Sequence, residues 1–212
     1  AAVETIKWVR AMYPSVDVVA GNVSEESATR RLMCAGASGI MVGQGPGSAC
    51  KSKQVKGTGL GLATAVYKCV KVAKDTGVPV GADGGLWHPG DVVKMLAIGA
   101  SYGVLGRRFA GTEESPGDVF EDEETGLRKK KYRGMGSLGA IRDRMNQGSR
   151  ERYLQTAMDE LIPEGFEFDV PYVGSAEKVI KTLAGGIQRG MFEIGALSIP
   201  SLCNVADFYE ES

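Results

Sequence analysis

Cys50 closes the run GQGPGSAC (43–50), which follows directly on the apolar stretch GIMV (39–42). Glycines at 43, 45 and 47 allow positive φ and place no Cβ in the way, so backbone amides and carbonyls can converge on a ligand. Ser48 adds a hydroxyl suited to phosphate, and Lys51 and Lys53 bring positive charge that favours a nucleophilic thiolate. Two readings stand side by side: a nucleophile delivered at the mouth of a strand, or a small residue in a tight turn. Cys34 and Cys69 fall on apolar helical faces and read as packing. The second constellation is GADGGLWHPGD (81–91), where a strand delivers Asp83 and two glycines precede a helix beginning near Pro89. A carboxylate there suits both hydroxyls of a ribose, and the amides of Gly84 and Gly85 suit a phosphate; the plain alternative is a carboxylate leading a helix. In LGRRFAGT (105–112), Gly106 allows close approach and Arg107 or Arg108 supplies a phosphate clamp.

Other chemistries are excluded by counting. His88 is the single histidine, so a Cys-His or Ser-His-Asp device would have to use it, as would a histidine-rich metal site. Cys34, Cys50, Cys69 and Cys203 form no C-x-x-C pair, which argues against a zinc site and a disulfide framework. With 25 Lys and Arg against 26 Asp and Glu there is no broad basic field for nucleic acid, so any bound anion must be held locally. No segment approaches the roughly 18 consecutive apolar residues of a membrane span, and AAVETIKWVR lacks the apolar core of a signal peptide. A cytoplasmic location is the expectation.

The elements that must position these residues alternate in type. Short apolar runs at 17–20, 39–42, 78–82 and 102–105 read as buried parallel strands. Helical patterns occupy 24–36, 58–77 and 89–99 between and after them. Right-handed βα repeats give either a doubly wound sheet or a (β/α) barrel, and glycines at the strand ends favour the barrel, whose loops at the C-terminal face build the site. Four βα units are visible where a closed barrel needs eight, so the expectation is a TIM barrel of which this chain carries the C-terminal half. Residues 113–134 carry an acidic arm and a basic arm around Thr125-Gly126, which fits a solvated hairpin or, alternatively, a charged docking surface. Residues 136–169 are polar and weakly periodic, as a mobile flap would be, before a helical pattern returns at 175–196.

Taken together, AGN (20–22), VGQGPGSAC (42–50), ADGG (82–85), LGRRFAGTEESPG (105–117), YRGMGSLGA (132–140), RY (152–153) and IPEG (162–165) resemble the catalytic domain of the inosine-5'-monophosphate dehydrogenase family. The resemblance covers nearly the whole chain. It implies a (β/α) barrel enzyme, a homotetramer, that oxidises IMP to XMP with NAD and water. Cys50 would add to C2 of the purine. Arg152 would be the base acting on water, with Tyr153 beside it, and Ser52 stands where the family has a threonine that orients the water. Asp83 would hold the ribose; Ser48, Gly85, Gly106, Arg107 and Tyr132 would surround the phosphate; the backbone of Gly134, Met135 and Gly136 would read the base. Glu164 would contact the purine or the neighbourhood of the ion. Asn22, Gly43 and Gly45 would meet the dinucleotide, and the carbonyls of Gly45, Gly47 and Cys50 would bind a potassium ion.

GMP reductase, which shares the cysteine loop and ADGG but runs a deamination with NADPH, lacks the long flap carrying the Arg152-Tyr153 pair; it is the alternative reading, together with a non-catalytic nucleotide-binding module. Met41, Lys51 and Lys53 depart from the family pattern near the cofactor loop and the thiol, and Arg107 replaces a small residue. The first half of the barrel is absent from the sequence, so a piece of a longer catalytic domain is expected rather than a functional half-barrel.

Overall fold

The computed structural model describes residues 1–142 and 161–209. In chain order the elements are α1 (Ala2–Met12), β1 (Val19–Val23), α2 (Glu26–Cys34), β2 (Gly39–Val42), α3 (Ser52–Lys56), α4 (Leu62–Ala73), β3 (Val80–Asp83), α5 (Pro89–Ile98) and β4 (Tyr102–Val104). They continue with α6 (Arg107–Ala110), β5 (Val119–Glu121), β6 (Arg128–Arg133), α7 (Leu138–Arg142), β7 (Glu167–Pro171), α8 (Ala176–Glu193) and α9 (Ile199–Val205). The chain forms two compact units.

The first unit comprises Ala1–Pro46, Gly59–Val104 and Thr182–Ser212. Its sheet runs β1-β2-β3-β4, all parallel, in the order of the sequence. This is an α/β half-barrel arrangement, four successive βα strands of the eight in a closed barrel. The core lies between the sheet and its helices: Ile40, Val42 and Ala82 from strands and Ala65, Val66 and Cys69 from α4 are all 0% exposed. Burial pushes the Cys69 thiol above its ordinary pKa, in keeping with a packing role. β1 is an edge of this sheet, and Val19 on it is 55% exposed.

Two glycines shape the sheet around one aromatic ring. A Cβ on Gly81 would lie 1.9 Å from Cε2 of Tyr102, and one on Gly39 would lie 3.7 Å from its hydroxyl oxygen. The ring therefore lies across β3 and β2, and its hydroxyl donates to the Ile40 carbonyl at 2.9 Å. Burial first, and the charge of Asp83 second, raise the Tyr102 pKa, so the phenol stays a donor.

The second unit comprises Gly47–Thr58 and Leu105–Lys181. Its sheet is antiparallel, in the order β5-β6-β7. β5 and β6 form a hairpin whose Glu121 faces Arg128, and Lys129 bonds Asp122 at 2.6 Å. The basic arm is not uniformly solvated. Alternation along β6 turns Lys130 inward to 1% exposure, where its ammonium donates to the carbonyls of Thr112 (3.0 Å) and Ser115. The stretch read as a flap is built into structure at both described ends: α7 starts at Leu138, and residues 167–169 belong to β7, paired with β6. Residues 143–160 lie outside the described residues.

The sequence-derived boundaries moved in places. β1 begins two residues later than the apolar run at 17–20 and continues through Asn22, and the helix expected over 58–77 is confined to Leu62–Ala73. The short α3 and α6 follow directly on glycine loops and have no apolar stripe long enough to show a helical period.

Candidate active site

In the second unit, three backbone segments close on one another around Cys50. The Lys51 amide donates to the Glu164 carbonyl (2.6 Å), the Phe166 amide to the Ala49 carbonyl (2.9 Å), and the Gly134 amide to the Phe166 carbonyl (2.9 Å). The Glu164 amide donates in turn to the Gly136 carbonyl at 2.9 Å, and Cys50 pairs with Gly165 in an antiparallel bridge. Only glycine fits here: a Cβ at 134 would lie 2.6 Å from the Ala49 carbonyl oxygen, and one at 165 would lie 2.9 Å from the same atom. The glycines of RGMGS and IPEG thus let the loop that carries Cys50 be gripped by main chain from two other segments.

The grip assembles a relay of side chains. The Cys50 thiol donates to Ser52 Oγ at 3.3 Å, and the Ser52 hydroxyl donates to Glu164 Oε2 at 2.7 Å. Lys56 Nζ lies 2.8 Å from that same oxygen, and Glu164 is 5% exposed. A thiol, a hydroxyl and a buried carboxylate in series can carry a proton away from sulfur and return it. The Lys51 ammonium stands over the Phe166 ring, 3.9 Å from its centroid. Sequence reasoning singled out all three members and expected Glu164 near the purine or the ion; within the protein its Oε2 engages Ser52 and Lys56. The signal that could have found this is IPEG itself, a lone acid between residues that permit tight backbone approach.

Gly106, Arg107 and Tyr132 also come together in this unit. A Cβ on Gly106 would lie 2.7 Å from the Tyr132 hydroxyl oxygen, Tyr132 meets Phe168 edge to face at 5.3 Å, and the Arg107 guanidinium stands 4.9 Å from the Phe168 ring. A pocket of about 1040 Å³ opens beside them, lined by Gly106, Tyr132, Arg133 and Phe168 among others. Ser48 is exposed on the loop before Cys50. Of the backbone expected to read a base, the Gly134 amide and the Gly136 carbonyl are engaged within the protein, and the Met135 amide and carbonyl have no backbone partner among the described residues.

In the first unit the site residues stand at the ends of β1, β2 and β3. Asn22 Nδ2 donates to Asp83 Oδ2 at 2.6 Å and to the Gly43 carbonyl at 2.8 Å. The Gly43 amide donates to the Val23 carbonyl, its φ is +136°, and a Cβ there would lie 2.3 Å from the Asp83 carbonyl oxygen. Asn22 and Gly43, expected as dinucleotide contacts, thus stand at the sheet end, where the Asn22 side-chain amide donates both its hydrogens within the protein. The Gly84 amide donates to the Val104 carbonyl at 3.2 Å, which removes it as a phosphate donor, while Gly85 is exposed with φ of +70°. Trp87 and His88 lead α5, and the Asp91 carboxylate accepts from both their amides.

For a monovalent cation the donor set is main-chain. Among the described residues no group of three or more His, Cys, Asp or Glu could hold a metal ion. The Gly47 carbonyl accepts the Cys50 amide at 2.9 Å and keeps a second lone pair, an oxygen donor of the type a hard cation takes. Gly45, with φ of +80°, belongs to the first unit. Arg152 and Tyr153 lie outside the described residues. No described helix is long and apolar enough to cross a membrane.

The sequence matches the family described as IMP dehydrogenase / GMP reductase domain over residues 1–212. An inosine-5'-monophosphate dehydrogenase from Aquifex aeolicus is 43% identical over 205 residues, 97% of this chain and 41% of the relative. One from Helicobacter pylori is 46% identical over 197 residues, 92% of this chain and 40% of the relative. Among solved structures, a GMP reductase variant from Trypanosoma brucei in complex with guanosine 5'-monophosphate has a TM-score of 0.87 at 35% identity, covering 99% of this chain and 42% of that one. The chain therefore spans about 40% of the length of the curated relatives it matches. On this match over its whole length, the chain belongs to the IMP dehydrogenase / GMP reductase family.

Proposed function

We propose that the chain carries the nucleotide-transforming residues of an IMP dehydrogenase, an oxidoreductase converting IMP to XMP. The observation that carries this reading is the hydrogen-bonded series from Cys50 through Ser52 to Glu164. The relay accepts the thiol proton as sulfur adds to C2 of the purine. A bound NAD supplies the acceptor for the hydride that leaves C2. Water then attacks C2 of the covalent adduct, the C–S bond breaks, and the thiol is restored with its proton. Asp83 holds the ribose, and Ser48, Gly85, Gly106, Arg107 and Tyr132 serve the phosphate. Arg152 and Tyr153, present in the sequence, act on the attacking water, and the carbonyls of Gly45, Gly47 and Cys50 would hold a potassium ion, which would supply a positive charge that steadies the cysteine loop.

The reductive reading rests on a specific likeness, that to the GMP reductase structure. The pair Arg152-Tyr153 and the relatives named as dehydrogenases favour oxidation. A single-turnover experiment separates the two. The protein is mixed with IMP and NAD+ in potassium buffer, or with GMP and NADPH, and NADH formation and the mass of acid-quenched protein are followed. NADH with a purine adduct on Cys50 is expected. Oxidation of NADPH with GMP, and none of the first signal, would install the reductase instead.

A further inference from the structure

Asp83 ends β3, and a carboxylate at a strand end is free to rotate unless something holds it. What holds it is Asn22, two strands away. In the pairing of β1 with β2, Gly21 faces Met41 and Val23 faces Val42, so Asn22 is the extra residue of a bulge. Bulges re-aim side chains. A Cβ on Gly21 would lie 2.3 Å from the Met41 carbonyl oxygen, so this approach of β1 to β2 needs glycine. Gly43, which ends the path between Asn22 and Asp83, likewise has no room for a Cβ.

The amide reaches both targets at once. One NH2 group donates to the Gly43 carbonyl (2.8 Å) and to Asp83 Oδ2 (2.6 Å). A flipped amide would face two acceptors with an oxygen, so the orientation is fixed by chemistry. Gln44 Nε2 donates to the Asn22 carbonyl at 3.3 Å and braces the same residue from behind. Asp83 Oδ2 is thereby anchored, whereas Oδ1 accepts no hydrogen bond among the described residues.

We propose that Asn22 is a positioning residue for diol recognition: by anchoring Asp83 Oδ2 it presents the carboxylate in one rotamer to both ribose hydroxyls, and so sets the preference of the site for ribonucleotides over deoxyribonucleotides. The inference rests on the ribose role of Asp83 proposed above. It also gives Asn22 a function other than a cofactor contact.

The test measures dissociation constants of IMP, 2'-deoxy-IMP and 3'-deoxy-IMP by calorimetry for the unaltered protein and for Asp83→Ala, Asn22→Ala and Asn22→Asp. The unaltered protein is expected to prefer IMP by roughly tenfold or more, because each lost hydroxyl strips a charged acceptor of its partner. Both Asn22 variants should shrink that preference to about threefold or less while 2'-deoxy-IMP binds nearly as before. Asn22→Asp keeps the shape and decides the matter if Asn22→Ala does not fold. A preference retained in Asp83→Ala, or absent from the unaltered protein, removes the ribose role of Asp83. A preference lost in Asp83→Ala but kept in both Asn22 variants overturns the positioning role alone, as does an equal loss for all three nucleotides. A crystal structure of Asn22→Asp without nucleotide tests the anchor directly: the Asp83 carboxylate is expected in a new rotamer, and an unchanged one contradicts the proposal.

Discussion

In the proposed reaction the chemistry of Cys50 turns on Glu164, the one carboxylate among the described residues in the series that starts at sulfur. Replacing it by glutamine preserves volume and a hydrogen-bond acceptor for Ser52 but removes the capacity to take a proton. Glu164→Gln is expected to slow adduct formation by about 10²–10⁴-fold, read as the NADH burst under single-turnover conditions, with IMP affinity within about threefold. An unchanged burst would mean that the thiol loses its proton elsewhere. Gly81 makes a contrasting case, since it carries no functional group. Its substitution by alanine drives a methyl into the Tyr102 ring, with 1.9 Å available, and should cost about 1–3 kcal/mol by chemical denaturation. A neutral Gly81→Ala would show that the ring shifts at no cost.

The hairpin and the turn it supports act as elements. Hydrogen bonds from Lys129 and then from Thr125 hold the Asp122 carboxyl down to a pKa of about 2. A depressed carboxylate stabilises the folded state above its unfolded pKa near 3.9 and loses that contribution as pH falls through about 2. Hairpin order should therefore weaken between about pH 4 and pH 2. In Asp122→Asn that pH-dependent component should be missing, as followed by proton exchange of the β5 and β6 amides. An acid transition identical in the variant would assign it to another carboxylate. The same β6 holds the turn at 112–115 through Lys130, and Glu114 from this turn accepts the Ala176 amide at the start of α8. The parallel strands were legible in the sequence because short apolar runs bounded by glycine have few other uses. β7 was not legible, because EFDVP is too short and too charged to announce itself. It becomes a strand by pairing with β6, through Tyr132 with Phe168 and Lys130 with Val170. Inward Lys130 was hidden for a related reason: in a run of three lysines nothing marks the middle one as buried.

At the scale of the whole molecule, the candidate residues are distributed over the two units: Asn22, Asp83 and Gly85 in one, and Cys50, Ser52, Glu164, Gly106 and Tyr132 in the other. Lys130→Met strips the carbonyls of buried Thr112 and half-buried Ser115 of their donor and should destabilise by about 1–3 kcal/mol. Hydrogen exchange should record that loss in residues 128–133 and 167–171, while the amides of β2 and β3 keep their protection. Equal loss in both sets would mean that the units unfold as one. Motif order pointed to the candidate residues, yet it did not give their hydrogen-bond partnerships. The Asn22–Asp83 bond spans 61 residues and the Ser52–Glu164 bond 112, and no local pattern encodes either.

That second separation bears on how the chain is made. The second unit takes in Gly47–Thr58 and then nothing until Leu105, so its reactive loop is synthesised long before the segment that grips it. At roughly 5–20 residues per second, the ribosome needs about 5–20 s to travel from Ser52 to Glu164. Throughout that interval the nascent Cys50 lacks Glu164, so in the proposed reaction the hydrogen-bonded series from sulfur is complete only after translation of the chain has passed residue 164.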